Sequence, residues 1–469
     1  MSPPPPPVPA PPSPIPTPSK PPPLPLWRRI LLGLILAAIV LLCGLMALNY
    51  VVKKQLGGEI ARISRAGEPV TFAELRPSSP TEANDVAAAS YVQAIVSVNP
   101  NHLEILKQLN AFYRKNIDSL PANQFPSDAR EKAAQLLGEY QQSFEKIDAA
   151  AGLSMVQFDI GVQKGLQVYA ANLQRVQTIV FLLSLRTLDL LVAGQGDQAA
   201  KSIVSMLKIM RTIDTHPVMV LHVGKIAFLT LACEDVRILL EHGSAGEKSL
   251  LLMQQALSES FPDQALERSF FTERVYQIEM ARNLLPAAIT KKYLPAQAPD
   301  IPERIDLPAS RWAQMRLRYQ SVGYFRYMAE LLAAVRQPWP QRLDATISLA
   351  DPATKKKGGV LLSGAQLARF TAETSAIVRC TVLAITVQRY HLTHNKLPAS
   401  LDELMPDYAD SVPIDPFTGG KLLYRFDEEA YVVYSTGINR LDDNGNLLPT
   451  EDQTTTLDRG IRIRIAKSG

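Results

Sequence analysis

The sequence predicts a mainly α protein with a transmembrane helix near its N-terminus, a helical-bundle body and a C-terminal α+β module with a small antiparallel sheet. Three observations support this fold class. An uncharged apolar run occupies residues 30–52, and apolar residues recur at intervals of three and four between residues 84 and 350. Beyond residue 420, short apolar segments are separated by turn residues, as in a hairpin.

Composition changes along the chain divide it into six segments. The N-terminal stretch is mostly proline, which has no amide donor and a fixed φ, so it should be a solvated polyproline II rod. The predicted segments are a disordered Pro-rich tail (1–26), a transmembrane helix (27–54), a linker (55–83), a helical domain (84–350), a second linker (351–363) and an α+β domain (364–469).

The net charge argues against a polyanionic partner. With 49 Lys and Arg against 45 Asp and Glu, the formal net charge is only +4 over 469 residues. Nucleic-acid-binding domains usually carry a much stronger positive excess. We therefore predict no nucleic-acid partner.

The apolar run has the length of a membrane span. Its 23 uncharged residues compare with roughly 20 that a helix needs to cross the hydrocarbon layer. Trp27 and Tyr50 lie at its two ends, as interfacial aromatics do. A cleaved signal peptide and a lipid-modified Cys43 are the alternatives. Basic residues flank the run almost equally, so charge does not give the orientation, whereas a short tail before a long body favours a body outside the cytoplasm.

The middle of the chain predicts successive antiparallel helices. Two apolar stripes, within residues 182–192 and 203–210, are separated by the turn at 193–197 and indicate a helical hairpin. A plain bundle is favoured over a tetratricopeptide array, because no repeat of 34 residues is present. Residues 194–199 match G-x-G-x-x-A, but the preceding segment has helical spacing, which argues against a dinucleotide fold.

The common catalytic signatures are missing from the sequence. It contains no G-x-S-x-G, H-E-x-x-H or G-K-[ST] motif, so no catalytic residue is predicted. His391 and His394 could share a metal, although a role at a helix end or surface is favoured. Cys233 and Cys380 could form one bridge or stay as buried thiols.

The C-terminal segment predicts one long helix and three strands. Apolar residues cover most of the circumference of a helix over residues 370–391, so it should be buried on several sides. Ser400 and Glu403 have the spacing of a capping box for a short helix. The predicted strands are residues 422–426, 431–435 and 461–465, the first two joined by an acidic turn at 427–429.

The order of motifs in this segment resembles the globular end of the major pseudopilins of type II secretion systems. The similarity covers roughly residues 372–465, about a fifth of the chain. The residues that carry it are Leu397-Pro398, Ser400-Leu401, Asp415-Pro416-Phe417, Tyr424, Tyr431, Tyr434-Ser435 and Gly437. The whole chain also resembles membrane-anchored proteins of planctomycete-type bacteria, through Gly67-Glu68-Pro69-Val70-Thr71, Asn84 and Tyr91.

The departures from pseudopilins limit what the resemblance implies. In a pseudopilin the membrane helix is the first half of the long spine helix, whereas about 300 residues separate the two here. The processing site is also missing, because Ala38 stands five residues after Gly33, where the family has Glu. A pilin-like fold is implied, and packing into a filament is not.

The resemblance also implies a cation site. In related pseudopilins the loop after the Y-S-x-G motif binds calcium, and in this chain Asp442, Asn444 and Asn446 offer oxygens at alternate positions. Asp443, with Glu451, Asp452 or Asp458, could complete the set. Calcium at Asp442, Asp443, Asn444 and Asn446 is thus the predicted cofactor, and an Asx-rich surface turn is the alternative.

Together these features predict a single-pass protein of a bacterial inner membrane with an extracytoplasmic body. We expect a structural or protein-interaction role, related to secretion through its pseudopilin-like module, with the membrane and periplasmic proteins as partners. The alternative is a cell-surface hydrolase whose catalytic carboxylates come from separate helices and so leave no local motif.

Overall fold

A computed structural model gives the architecture. It describes residues 25–75, 90–91, 93–120, 124–151, 166–211, 219–260, 265–282, 311–349, 363–448 and 457–465. Nearly all of the predicted Pro-rich tail and of the second predicted linker lies outside these residues. Residues 1–55 and residues from Leu56 onward form separate units.

The protein is mostly helical, with one small sheet near the C-terminus, as the sequence predicts. The α-helices are α1 (Leu26–Arg65), α2 (Leu103–Ile117), α3 (Ser127–Glu139), α4 (Gln141–Ala151), α5 (Leu166–Val192), α6 (Gly196–Arg211), α7 (Met219–His242), α8 (Glu247–Glu259), α9 (Ala265–Arg282), α10 (Arg311–Val335), α11 (Gln341–Ser348) and α12 (Gly364–His394). Short 3₁₀ helices cover Pro100–His102 and Leu401–Leu404.

Among the residues that the structure describes, two helices are long and apolar enough to cross a membrane, but they differ in burial. The most apolar stretch of α1 is 0% buried within the protein, whereas that of α12 is 72% buried. Burial makes α12 a core helix. A long exposed apolar helix near the N-terminus is compatible with a membrane anchor and with a signal sequence.

The helical hairpin predicted around residue 194 is present as α5 and α6. Gly194 lies between the helices with φ +72°, a left-handed conformation that glycine adopts without strain. At Gly196 a Cβ would lie 2.3 Å from the backbone oxygen of Ser244, so the chain can approach only because no side chain is there. Backbone conformation at Gly194 and close packing at Gly196 therefore explain both glycines of the G-x-G-x-x-A motif.

The sheet has the order β1-β2-β3 and is antiparallel throughout, with β1 at Leu423–Phe426, β2 at Ala430–Ser435 and β3 at Arg459–Arg464. All six residues of the central strand are buried. In β3 the isoleucines point into the core and Arg462 is exposed, as the alternation predicts. Asp427 accepts backbone hydrogen bonds from Glu429 and Ala430 in the hairpin turn.

The predicted capping box at Ser400 is wrong. The Ser400 side chain caps nothing, and Glu403 accepts a hydrogen bond at 3.2 Å from the amide of Ala399, the residue before the N-cap, whereas a capping box uses the Ser400 amide. The short helix is a single 3₁₀ turn, so it offers few orphan amides to cap. A complete capping box instead starts α12, between Ser363 and Gln366, six residues before the predicted start.

The body helices and the C-terminal sheet share one hydrophobic core. Residues of α5 to α8 lie in the same buried cluster as residues of α12, β2 and β3, including Tyr431 and Ile461. Cys233 of α7 and Cys380 of α12 are both buried free thiols in this region. Burial raises the pKa of the Cys233 thiol to about 12, so it is protonated at neutral pH. Whether the predicted body and module also fold separately stays a prediction.

We predict that Gly196→Ala destabilises the protein by about 2 kcal/mol, because its Cβ cannot fit against the Ser244 backbone without moving it. The measurement is urea unfolding followed by circular dichroism. The control is Gly323→Ala in α10, where a Cβ meets nothing within 4 Å and helix propensity should make the change neutral or slightly stabilising. Equal effects of the two substitutions would contradict the close approach.

Candidate functional site

The four predicted calcium ligands lie together in the loop between β2 and β3. Asp442, Asp443, Asn444 and Asn446 occupy a tight turn in which Asn444 and Gly445 both have positive φ, +60° and +72°. Asparagine and glycine tolerate this conformation best. The local sequence therefore folds back on itself and gathers its oxygens on a short stretch of chain.

Hydrogen bonds within the loop hold these side chains. Asp442 Oδ1 accepts from the Tyr434 hydroxyl at 3.0 Å and from the Asn444 amide at 2.9 Å. Asp443 Oδ2 accepts from the side-chain amide of Asn439 at 2.8 Å. Asn446 Oδ1 accepts from the Leu448 amide at 3.2 Å. These are the contacts of an Asx-rich turn, the alternative that the sequence left open.

Asp458, the residue directly before β3, bonds to the backbone of this loop. It is fully buried and accepts hydrogen bonds from the Gly445 amide at 2.8 Å and the Asp443 amide at 3.4 Å. Burial raises the pKa of Asp458, and the negative charges of Asp443 and Asp442 raise it further. The two hydrogen bonds from backbone amides lower it. The charges of Asp442 and Asp443 thus act on Asp458, but among the described residues a group of three such side chains with ligand atoms within 4.8 Å of one another is found at Asp118 and not in this loop.

The loop also leaves oxygens for a ligand. Within the described part of the chain, Asp442 Oδ2 and Asp443 Oδ1 accept no hydrogen bond. Calcium takes six to eight oxygens, so carbonyl groups and water would complete the set. Glu451 and Asp452, also considered as ligands, lie outside the described residues. Calcium binding stays a prediction.

A buried carboxylate positions the start of this loop. Asp415 of the P-x-D-P-F motif is 1% exposed and accepts hydrogen bonds from the Phe417 amide at 2.8 Å and the Ser435 hydroxyl at 2.7 Å. Its other oxygen accepts from the amide and hydroxyl of Thr436, at 3.2 and 3.3 Å. The motif is thereby fastened to the end of β2, where the candidate loop begins.

A second hydrogen bond fixes the sheet on the long helix. The hydroxyl of Tyr431, the second residue of β2, donates to the Ala384 carbonyl of α12 at 3.1 Å, and both groups are buried. Mid-helix carbonyls normally accept only from their own helix, so this contact sets the position of the strand along α12. Tyr431 and Tyr434 of the Y-x-x-Y-S motif thus have different roles, one in the core and one at the loop.

Sequence reasoning missed a charged cluster at the far ends of α2, α7 and β3. One potential metal-ligand atom from each of Asp118, Glu241 and His242 lies within 4.8 Å of the other two, a spacing that could hold a metal ion. Two guanidinium groups form ion pairs with these acids. Arg464 lies 2.8 Å from both Asp118 and Glu241, and Arg237 forms an ion pair with each of them as well. The cluster is therefore an ion-pair network. Its members are up to 346 residues apart, so no local motif could reveal it.

The network favours ionised Asp118. Burial opposes ionisation, but the hydrogen bond from His242 and the charges of Arg237 and Arg464 outweigh it and hold the pKa of Asp118 below its usual value. Such a carboxyl binds fewer protons in the folded state than in the unfolded chain. Its contribution to stability is complete above the unfolded pKa, near 4, and is lost as the pH falls through the lower, folded pKa.

No protein-family model, no curated protein and no solved structure matches this chain. The resemblance to pseudopilins thus has no support from these comparisons and stays a prediction from motif order.

We predict that calcium stabilises the full-length protein through the loop at Asp442. At a free concentration of a hundred times Kd the gain would be about 2.7 kcal/mol. Thermal unfolding in calcium and in chelator measures it, and Asp443→Asn should abolish the shift. The control is Asp410→Asn, an exposed acid elsewhere in the module, which should keep it. A flat calorimetric titration together with equal Tm values in calcium and chelator would remove the calcium site.

We also predict that Asp118→Asn lowers the free energy of unfolding by about 1 kcal/mol at neutral pH, because it removes a partly exposed, networked charge. The loss should decrease as the pH falls from 7 to about 3, because the wild-type carboxylate's contribution to stability is lost progressively below its unfolded pKa. Urea unfolding at both pH values tests this. Asp402→Asn, which breaks only the exposed pair with Lys421, should change little at either pH. A loss that is independent of pH would contradict the role of the charge.

Proposed function

We propose that this chain is a membrane-anchored, extracytoplasmic structural or protein-interaction protein whose C-terminal module is pseudopilin-like. The observation that carries the proposal is α1, a long apolar helix near the N-terminus whose apolar stretch the rest of the protein leaves uncovered. Exposed leucines and isoleucines on all sides of a helix are stable in lipid and costly in water.

The residues after the apolar run support an anchor that is retained. The helix continues to Arg65, and Leu56, Ile60 and Ile63 are buried in a cluster with residues of α9 and α10. The segment that would follow a signal-peptide cut is therefore helical and part of the folded body. A cleavable leader needs an accessible segment after its apolar region, which supports the anchor over the signal peptide.

The use of buried charges supports a structural role. Asp235 is fully buried beside Arg114, and burial raises the pKa of Asp235 to about 6 against the opposing charge of Arg114. Arg389 of α12 donates to Glu247 at 2.8 Å and to Gln254 at 2.9 Å, both on α8. In these places ionisable groups join helices to one another, as expected for a protein that holds a shape.

The surroundings of α12 support an interaction module over a filament subunit. A pilin-like filament would need the spine helix to pack against neighbouring subunits. Here α12 packs against α7, α8 and α11 as well as against β2 and β3. Because the body already covers its apolar faces, any partner of this module would meet the loops and the sheet instead.

The proposal is tested by fractionation and protease protection in bacteria that express the full chain. We expect the protein in the membrane fraction after carbonate washing, and we expect added protease to digest the body in intact spheroplasts. Deletion of residues 30–52 should release the protein from the membrane. Recovery of the full chain in the soluble fraction would refute the anchor, and a body that is digested only after lysis would place it in the cytoplasm.

A further inference from the structure

We propose that the outer edge of strand β1 pairs with the same edge of a second copy of this chain, so that the two sheets become continuous. We call residues 424–427 along this side of the strand the open edge. The inference rests on the protein-interaction part of the proposed function, for which it names the surface and the partner. It does not depend on the anchor.

The two outer strands of the sheet differ in how their edges are covered. On β3, the outward amide of Arg464 donates to a carboxylate oxygen of Glu241 in α7 at 2.9 Å. Both α7 and α12 pack against this strand. The body therefore closes the β3 edge. An edge strand without such cover presents unpaired N–H and C=O groups to any other strand that meets it.

The hairpin turn shows which backbone groups of β1 point outward. The Asp427 amide donates to the Ala430 carbonyl at 2.9 Å, so Asp427 faces β2. Hydrogen-bonded positions alternate along an antiparallel pair, so Arg425 faces β2 as well. The N–H and C=O groups of Tyr424 and Phe426 therefore point away from β2. Within the described part of the chain, none of these four groups makes a hydrogen bond.

The preceding chain covers the first part of the same edge. Ile414 forms a bridge with Lys421, and the Leu422 amide donates to the Pro413 carbonyl at 3.4 Å. Beyond Leu422 the described residues make no further backbone bond to this side, and Phe426 is 47% exposed. A strand that joins the sheet here must therefore lie beside the open edge.

The charges along the strand favour a second copy of the chain as the partner. Lys421 and Arg425 are basic, and residues 427–429 are all acidic. All five side chains are exposed. In an antiparallel pair of identical strands, the basic part of each lies beside the acidic part of the other. A two-fold axis then makes the same surface serve both copies.

One register satisfies both the charges and the backbone. With Phe426 on the two-fold axis, its N–H and C=O groups bond to those of Phe426 in the second copy, and the two exposed rings meet on one face. Arg425 then lies opposite Asp427 of the second copy, and this pair occurs twice. An axis at Arg425 would oppose two guanidinium groups. An axis at Tyr424 would press the second strand against the segment at Pro413.

Both members of the proposed ion pair have free atoms for it. Arg425 donates through Nη1 to the Asn444 carbonyl at 2.5 Å, and its other two nitrogens bond to no described residue. Asp427 uses Oδ1 for the amides of Glu429 and Ala430, both at 2.8 Å, which leaves Oδ2. These two amides lower the pKa of Asp427, so the carboxyl is ionised at neutral pH.

The test uses two copies of the full chain with different epitope tags, co-expressed with Cys43→Ser and Phe426→Cys in both. A short bismaleimide added to a detergent extract should give a covalent dimer that contains both tags, because position 426 faces itself. Cys233 and Cys380 are buried, so they do not compete for the reagent. So small an interface is weak, and the yield should rise with the expression level. Leu448→Cys, which is 69% exposed elsewhere in the module, should give much less dimer.

Charge variants in the same background test the register. Arg425→Gln or Asp427→Asn should each lower the dimer yield by about five-fold where the monomer predominates, because symmetry removes two ion pairs at once. The double variant should lose no more than either single one, since both act on the same pairs. The control is Arg462→Gln, which removes an exposed arginine from the same face of the sheet two strands away and should leave the yield unchanged.

Three results would overturn the pairing. The first is a dimer yield at Phe426→Cys no higher than at Leu448→Cys, and the second is an equal effect of Arg425→Gln and Arg462→Gln. The third is a crosslinked product in which the second tag never appears, since a different protein would then occupy the edge. None of these results bears on the anchor, which fractionation tests separately, so the two failures can be told apart.

Discussion

The structure from Leu56 onward depends on the burial of one helix from several directions. The 31 residues of α12 pack against α7 and α8 on one side and against β2 and β3 on another. A helix with apolar residues around most of its circumference cannot remain in water, because each large side chain left exposed costs about 1.5–3 kcal/mol relative to burial. Both the body and the sheet are needed to cover it.

Charged and polar groups then fix the positions of helices and loops relative to one another, which hydrophobic burial alone does not determine. Apolar contacts alone allow helices to slide, whereas a buried ion pair or carboxylate is satisfied in one arrangement only. Arg389 fixes α12 against α8, Asp415 fixes the P-x-D-P-F loop against β2, and Glu68 fixes the entering chain against Arg274 and Arg336. Removing one partner of such a group leaves the other unpaired in a poorly solvated place, which costs more than the pair contributes.

Elements with a local period could be predicted from the sequence, and contacts between distant residues could not. The three strands, the α5–α6 hairpin and the burial of α12 follow from periods of 2 and 3.6 and from glycines that a turn requires. The Asp118 network joins the end of α2, the end of α7 and β3, and no spacing rule connects them. The cap at Ser400 was wrong because a single 3₁₀ turn lacks the orphan amides that the motif normally serves.

In the candidate calcium loop, too, the local pattern could be predicted from the sequence and the contacts between distant residues could not. Its residue types could be predicted from the sequence, since Asx side chains in a turn are both calcium ligands and turn formers. What the sequence alone could not show is that Asp458, across the loop, is fully buried below Asp443 and Gly445. Burial and the charges of Asp443 and Asp442 raise the pKa of Asp458, whereas the backbone amides of Asp443 and Gly445 stabilise its ionised form. This balance depends on contacts between residues 13 to 15 positions apart, which is why the residue types could be predicted from the sequence and the environment of Asp458 could not.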